Sequence, residues 1–294
     1  MKKFFRALAV TATAVIAGAS LMAFTACETD KPEVTITYNF NGTDYKVEYE
    51  LSRTGAPATV RHFIELADAG YYNGTVIHDY QNSGAFLYGG GYVIGDDGEL
   101  EEKDYWSEVK KLEENGNEFT QTVYTEDNEP LYTVYGEFKA NGVTPNTKSY
   151  KQNKAGTLVM YYMDKGSDTT RVGTVRADGG SNNDGENFQT GSEYKYNSAT
   201  SLFYTYASTT SRTDLDENYC AFGRTKDFDQ LEKLITAVND YAAGFDEEDP
   251  FFVEKEIVLN QHDPFVLVRD AKVPAYYSVP SVPITIVSVK VTKY

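Results

Sequence analysis

The stretch APATVRHFIELADAGYYNGTVIHDYQNSGAFLYGGGY, residues 56–92, decides the fold because its periodicity changes midway. Pro57 suits a first helical turn, where its missing N–H costs nothing. Val60, Phe63, Ile64 and Ala67 recur on one face at helical spacing, and Gly70 is a natural stop. Residues 75–94 then read as strand, loop and strand. The glycines at 89–91 are not a phosphate loop, since no Lys-Ser/Thr follows and no helix opens there. Close approach of the backbone to a neighbouring strand explains them better.

Upstream, VTITYNFNGTDYKVEYEL (34–51) alternates on both sides of Asn41-Gly42, a pair that supplies the positive φ values of a tight hairpin turn. Downstream, residues 95–131 are charged around a short helix expected at Trp106–Leu112. Short strands joined by polar turns follow from Thr133 to Met160, and residues 164–197 are dense in Gly, Asn, Asp and Ser without periodicity. Residues 201–208 and 219–225 read as strands, Phe228–Ala243 as a helix and 284–294 as a β-branched strand. The chain has 24 Tyr and 16 Phe against one Trp, a composition that leans towards β structure. Many short strands with two strong helices predict a mainly β, closed antiparallel barrel rather than an α/β fold.

Lys2, Lys3 and Arg6 precede an apolar run from Ala7 to Phe24 that is too short and too rich in Ala and Thr for a membrane span. Residues 1–26 therefore read as a secretory signal. Phe24-Thr25-Ala26-Cys27 resembles a lipoprotein box, which makes Cys27 the expected lipidation site; ordinary secretion with cleavage after Ala23 or Ala26 is the alternative. Residues 27–33 form a tether, and 34–294 a single domain with insertions at about 95–131 and 164–197. The formal charge is −17, and cleavage before Cys27 would remove three positive charges and no negative one. So acidic a body excludes nucleic acid as a partner and requires acyl chains for membrane attachment. With Cys27 lipidated, only Cys220 remains; no disulfide framework is available, and Cys220 reads as a buried strand residue.

Six collinear blocks resemble the cyclophilin family of peptidyl-prolyl isomerases. They are APATVRHFIELADAGYYNGTVIH (56–78), LYGGGY (87–92), YGEFKANGV (135–143), AGTLVM (155–160), NSATSLFYTY (197–206) and LDENYCAFGRT (215–225). The resemblance implies a barrel of about eight antiparallel strands capped by two helices. It also implies binding of proline-containing peptides or unfolded exported proteins, with no cofactor and no metal. Rotation about X–Pro faces a barrier of about 20 kcal/mol from amide conjugation. A donor aimed at the prolyl nitrogen beside an apolar cup lowers it.

In the family an arginine follows the histidine matched by His78; here that position is Asp79, or Tyr80 if the gap shifts by one. Tyr88 and Leu202 stand where the family has glutamines. Phe86, Tyr204, Leu215 and Tyr219 match positions of the substrate pocket, and Tyr161 with Tyr162 is expected to narrow the groove. Phe86, Tyr88, Tyr161, Tyr204, Leu215 and Tyr219 are thus the substrate-binding candidates, and no catalytic residue is assigned. A replacement cation could come from Arg171 or Arg176 on the second insertion. Phe203 and Phe222 read as core, and His78 as structural; His62 and His262 are isolated and suggest no metal. Three functions stay open: an exported, lipid-anchored isomerase of weakened activity that assists folding outside the cytoplasm, an inactive peptide-binding module on the same fold, and a tyrosine-rich surface protein that binds a glycan or another partner.

Overall fold

The computed structural model describes residues 29–120, 123–124, 132–134, 136–144, 146–161, 173–175, 188–189, 199–258 and 274–294. The expected signal, Cys27, Tyr162, Arg171, Arg176, His262 and most of 164–197 lie outside the described residues.

In chain order the elements begin with β1 (Glu33–Phe40), β2 (Thr43–Leu51), α1 (Pro57–Asp68), β3 (Thr75–Val76), β4 (Asp79–Gln81) and β5 (Phe86–Gly89). Then come β6 (Tyr92–Ile94), β7 (Leu100–Glu102), α2 (Tyr105–Glu114) and β8 (Val123–Tyr124). Next come β9 (Thr157–Met160), β10 (Gly173–Val175), β11 (Phe188–Gln189), β12 (Phe203–Tyr206) and β13 (Cys220–Thr225). The chain closes with α3 (Asp229–Ala242), β14 (Phe252–Val258), β15 (Pro274–Pro280) and β16 (Ile284–Lys293).

Nine strands form one antiparallel sheet in the order β3-β16-β1-β2-β13-β9-β12-β5-β4. Its two outermost strands, β3 and β4, are halves of one segment. Ile77 N–H donates to Ile284 O (2.9 Å), and the next residue, His78, donates its N–H to Tyr88 O (3.0 Å). The chain passes from one end of the strand order to the other at that peptide, so the sheet curls round towards itself. The fold is mainly β, as the alternation of short strands implies. The β1–β2 turn is made by Asn41 (φ 47°) and Gly42 (φ 79°), the geometry that Asn-Gly favours.

The face of α1 is the one expected, with Val60, Phe63, Ile64 and Ala67 all buried. Each such side chain is worth about 1.5–3 kcal/mol when fully withdrawn from water. No side chain of its own caps this helix; instead Glu137, 79 residues away, accepts the Ala58 and Thr59 N–H groups at 3.1 and 2.8 Å. The second strong helix, α3, runs against β1 and β2 and buries Leu231, Leu234 and Val238. In the charged segment, α2 is a third helix, longer than expected, and Asp104 caps it by accepting the Ser107 N–H. Phe203, Phe222 and Cys220 belong to the main core, the first two with no exposure.

Candidate functional site

Register alone assembles the site. Asp79 lies opposite Tyr88, Tyr88 opposite Tyr204, Tyr204 opposite Val159, and Val159 opposite Ala221. One rung along, Gln81, Phe86, Tyr206 and Thr157 line up in the same way. The intervening rung of Tyr80, Leu87, Thr205 and Leu158 points to the other face. Its apolar members join the main core, whereas Phe86, Val159, Tyr204, Tyr206 and Ala221 form a separate cluster. The six residues picked from the sequence all belong to that separate cluster. Phe86 and Tyr204 are its buried members; Tyr88, Tyr161, Leu215 and Tyr219 pack over them half-exposed.

The tyrosines cover the base of the cup rather than merely flanking it. Tyr88 packs at 4.9 Å from Tyr204, with Tyr161 edge-on to Tyr88 at 5.8 Å. Tyr219 stacks on Tyr161 at 6.4 Å and meets Tyr204 edge-on at 6.0 Å. Tyr204 donates its hydroxyl to Gln152 Oε1 at 2.7 Å and is left 2 % exposed. Each aromatic pair adds about 0.5–1.5 kcal/mol beyond area burial, so the lid is firmly held. A proline ring aimed at Phe86 and Tyr204 meets these phenols first.

What stays open is a neighbouring cleft of about 270 Å³, whose walls include His78, Asp79, Gln81, Tyr88, Tyr161, Tyr219, Tyr276 and Tyr277. Two of these residues come from β15, which pairs along its length with β14 and lies across β4. Ser278 donates its backbone N–H to Asp79 Oδ1 at 2.9 Å, and Gln81 Nε2 donates to Asp79 Oδ2 at 2.6 Å. Tyr277 packs 4.8 Å from the His78 ring, and Phe252 of β14 stacks on Tyr80 at 5.0 Å, nearly parallel. The hairpin is thus fixed to β4 from both of its faces.

Asp79 therefore holds the β14–β15 hairpin in place from the position where the resemblance puts an arginine. Burial outweighs its two hydrogen bonds and pushes its pKa up to about 6. Tyr80, the alternative position, turns to the other face and donates its hydroxyl to Asn239 at 3.0 Å. His78 is buried against Tyr92 and Tyr277, a structural place in the barrel wall. His62 is also buried; its Nε2 lies 2.6 Å from Thr200 O, and desolvation lowers its pKa to about 4. The glycine run makes the expected close approach: a Cβ on Gly90 (φ +92°) would sit 2.5 Å from Ser201 O.

One guanidinium does reach the aromatic cluster. Arg212 lies 5.9 Å over the Phe86 ring and is held by Asp214 at 3.0–3.2 Å. Sequence reasoning missed it, because Arg212 precedes a 3₁₀ turn, Thr213–Glu217, in a segment without periodicity. Tyr276, Tyr277 and Gln81 were missed as well. For the first two the signal was present in AYYSVP (275–280), but nothing local tells that this strand crosses β4.

A family model for cyclophilin type peptidyl-prolyl cis-trans isomerases matches residues 34–172. No curated protein matches the sequence. Among solved structures, the chain is similar to a cyclophilin type peptidyl-prolyl cis-trans isomerase of Cryptosporidium parvum. Identity is 17% and the TM-score 0.40, over 90% of this chain and 99% of that one. A second structure of the same protein, obtained in the presence of the dipeptide Ala-Pro, matches at 16% identity and TM-score 0.41, over 89% and 99%.

Proposed function

We propose that this cyclophilin-type chain is a peptide-binding module in which prolyl isomerisation is weak or lost. The observation that carries the reading is the use of Asp79: the carboxylate at the position where the resemblance expects an arginine accepts a hydrogen bond from the backbone of β15. No Lys or Arg borders the cleft among the described residues. Loss of one well-aimed electrostatic donor commonly costs about 10²–10³ in rate. Binding needs no such donor. The cleft offers phenol rings and hydroxyls from β5, β15 and the segments flanking β9 and β13, a recess that can take one part of a bound peptide.

A titration with a proline-containing peptide tests this. The backbone amides of Tyr88, Tyr161 and Tyr219 should shift in a saturable way, and an unrelated glycan should leave them unmoved. Shifts caused by glycans alone would move the assignment to a carbohydrate-binding surface protein.

Arg212 favours a second reading, in which it supplies the missing cation from its place over the Phe86 ring and sustains slow turnover. Replacement Arg212→Gln should then lower the residual rate about tenfold or more, whereas the binding-module reading leaves that rate unchanged.

The same proposal places the protein outside the cytoplasm. Lys2, Lys3 and Arg6 ahead of an apolar run, followed by Cys27 in a lipoprotein-like box, support export and lipid anchoring of a domain that starts near residue 34. Labelling with palmitate that disappears in Cys27→Ser would support the anchor; labelling retained by Cys27→Ser would refute it.

A further inference from the structure

The cleft combines tyrosine walls with a buried carboxylate. Its walls include five tyrosine rings: Tyr161 packed against both Tyr88 and Tyr219, together with Tyr276 and Tyr277 of β15. Its floor holds the Asp79 carboxylate, 3 % exposed, with one hydrogen bond to each oxygen and no cation against it among the described residues. Burial of a carboxylate without a counter-ion is costly, and neutral hydrogen bonds offset only part of that cost.

We propose that the cleft receives the cationic end of a lysine or arginine side chain carried by the bound peptide, with the tyrosine faces around the cation and Asp79 beneath it. This rests on the peptide-binding reading above and specifies its substrate class. Phenol faces attract an ammonium or guanidinium through the ring quadrupole, most strongly where water is excluded. The volume, about 270 Å³, is at the lower edge of ligand pockets and suits one long side chain rather than a larger molecule. An acidic side chain would meet both the carboxylate and the negative ring faces. A sugar hydroxyl could hydrogen-bond to Asp79 but would leave its charge unmatched. Arg212, which lies over Phe86, is paired with Asp214 and does not border the cleft. The formal charge of −17 draws basic peptides towards the chain at low ionic strength.

The test compares two proline-containing peptides that differ only in lysine or norleucine at one position, titrated by calorimetry into the intact chain. The lysine peptide should bind about tenfold more tightly. Asp79→Asn, which keeps an acceptor for Ser278, should bring the two affinities to within about twofold, and Tyr219→Leu should narrow the gap while leaving Asp79 in place. Equal affinities in the native chain, or a preference that survives both substitutions, would overturn the cation site while the peptide groove stands. If neither peptide binds, the groove reading falls and this inference with it.

Discussion

Replacing Asp79 by Asn should change how stability depends on pH, in a direction fixed by the structure. Burial raises the Asp79 carboxyl from its ordinary 3.8 to about 6, so the folded state holds the proton more tightly than the unfolded chain does. Between those two values the folded state carries more protons, and this group's contribution to stability falls as pH rises. The penalty is absent below about pH 4 and complete above about pH 6. The move from 3.8 to about 6 corresponds to about 3 kcal/mol. Asn carries no charge to desolvate and can still accept the Ser278 N–H, although Gln81 then loses part of its partner. The stability of Asp79→Asn minus that of the native chain should therefore rise by about 2–3 kcal/mol between pH 4 and pH 8. Urea unfolding of both chains across that range measures it, since every other titrating group cancels in the difference. A difference flat with pH would refute the burial of an unmatched carboxylate, and one that falls with pH would mean that a cation lies against Asp79.

Other expectations follow from single contacts. Glu137→Ala should cost about 1–2 kcal/mol in urea unfolding, because it strips the distant cap from two N–H groups at the start of α1. Gly90→Ala should cost about 2 kcal/mol or more and shift the amides of Ser201 and Phe203, since the new Cβ would collide with Ser201 O at a positive φ. Phe203→Ala, at a fully buried ring packed on Phe63 and Tyr72, should lose about 3–5 kcal/mol. A loss below 1 kcal/mol at any of these positions would show that its contact is not made in solution.

Local pattern was enough for α1, the Asn41-Gly42 hairpin, α3 and the last strand, because each is specified by periodicity or by a turn residue within it. It was also enough to gather the six aromatic and apolar candidates, since register puts alternate residues of neighbouring strands on one face. What could not be read is what lies across the chain. Asp79 was visible as a substitution, but its partner Ser278 is 199 residues away. The β14–β15 hairpin hides because VEKEI mixes charge with apolar residues and its partner strand begins only at Pro274. Tyr204 reads as pocket lining in one dimension; only in three do Tyr88, Tyr161 and Tyr219 close over it. Arg212 shows the same limit, for its relation to Phe86 is made by pairing in space, not by spacing.

The function proposed above joins a retained peptide surface to a prolyl isomerisation that is weak or lost. Exchange spectroscopy on a proline-containing peptide, with the protein present in substoichiometric amount, reads both halves at once. Line broadening from binding is expected, while cis and trans interconvert no faster than about a hundredth of the rate expected with an ordinary cyclophilin at the same concentration. Interconversion at the full cyclophilin rate would contradict it.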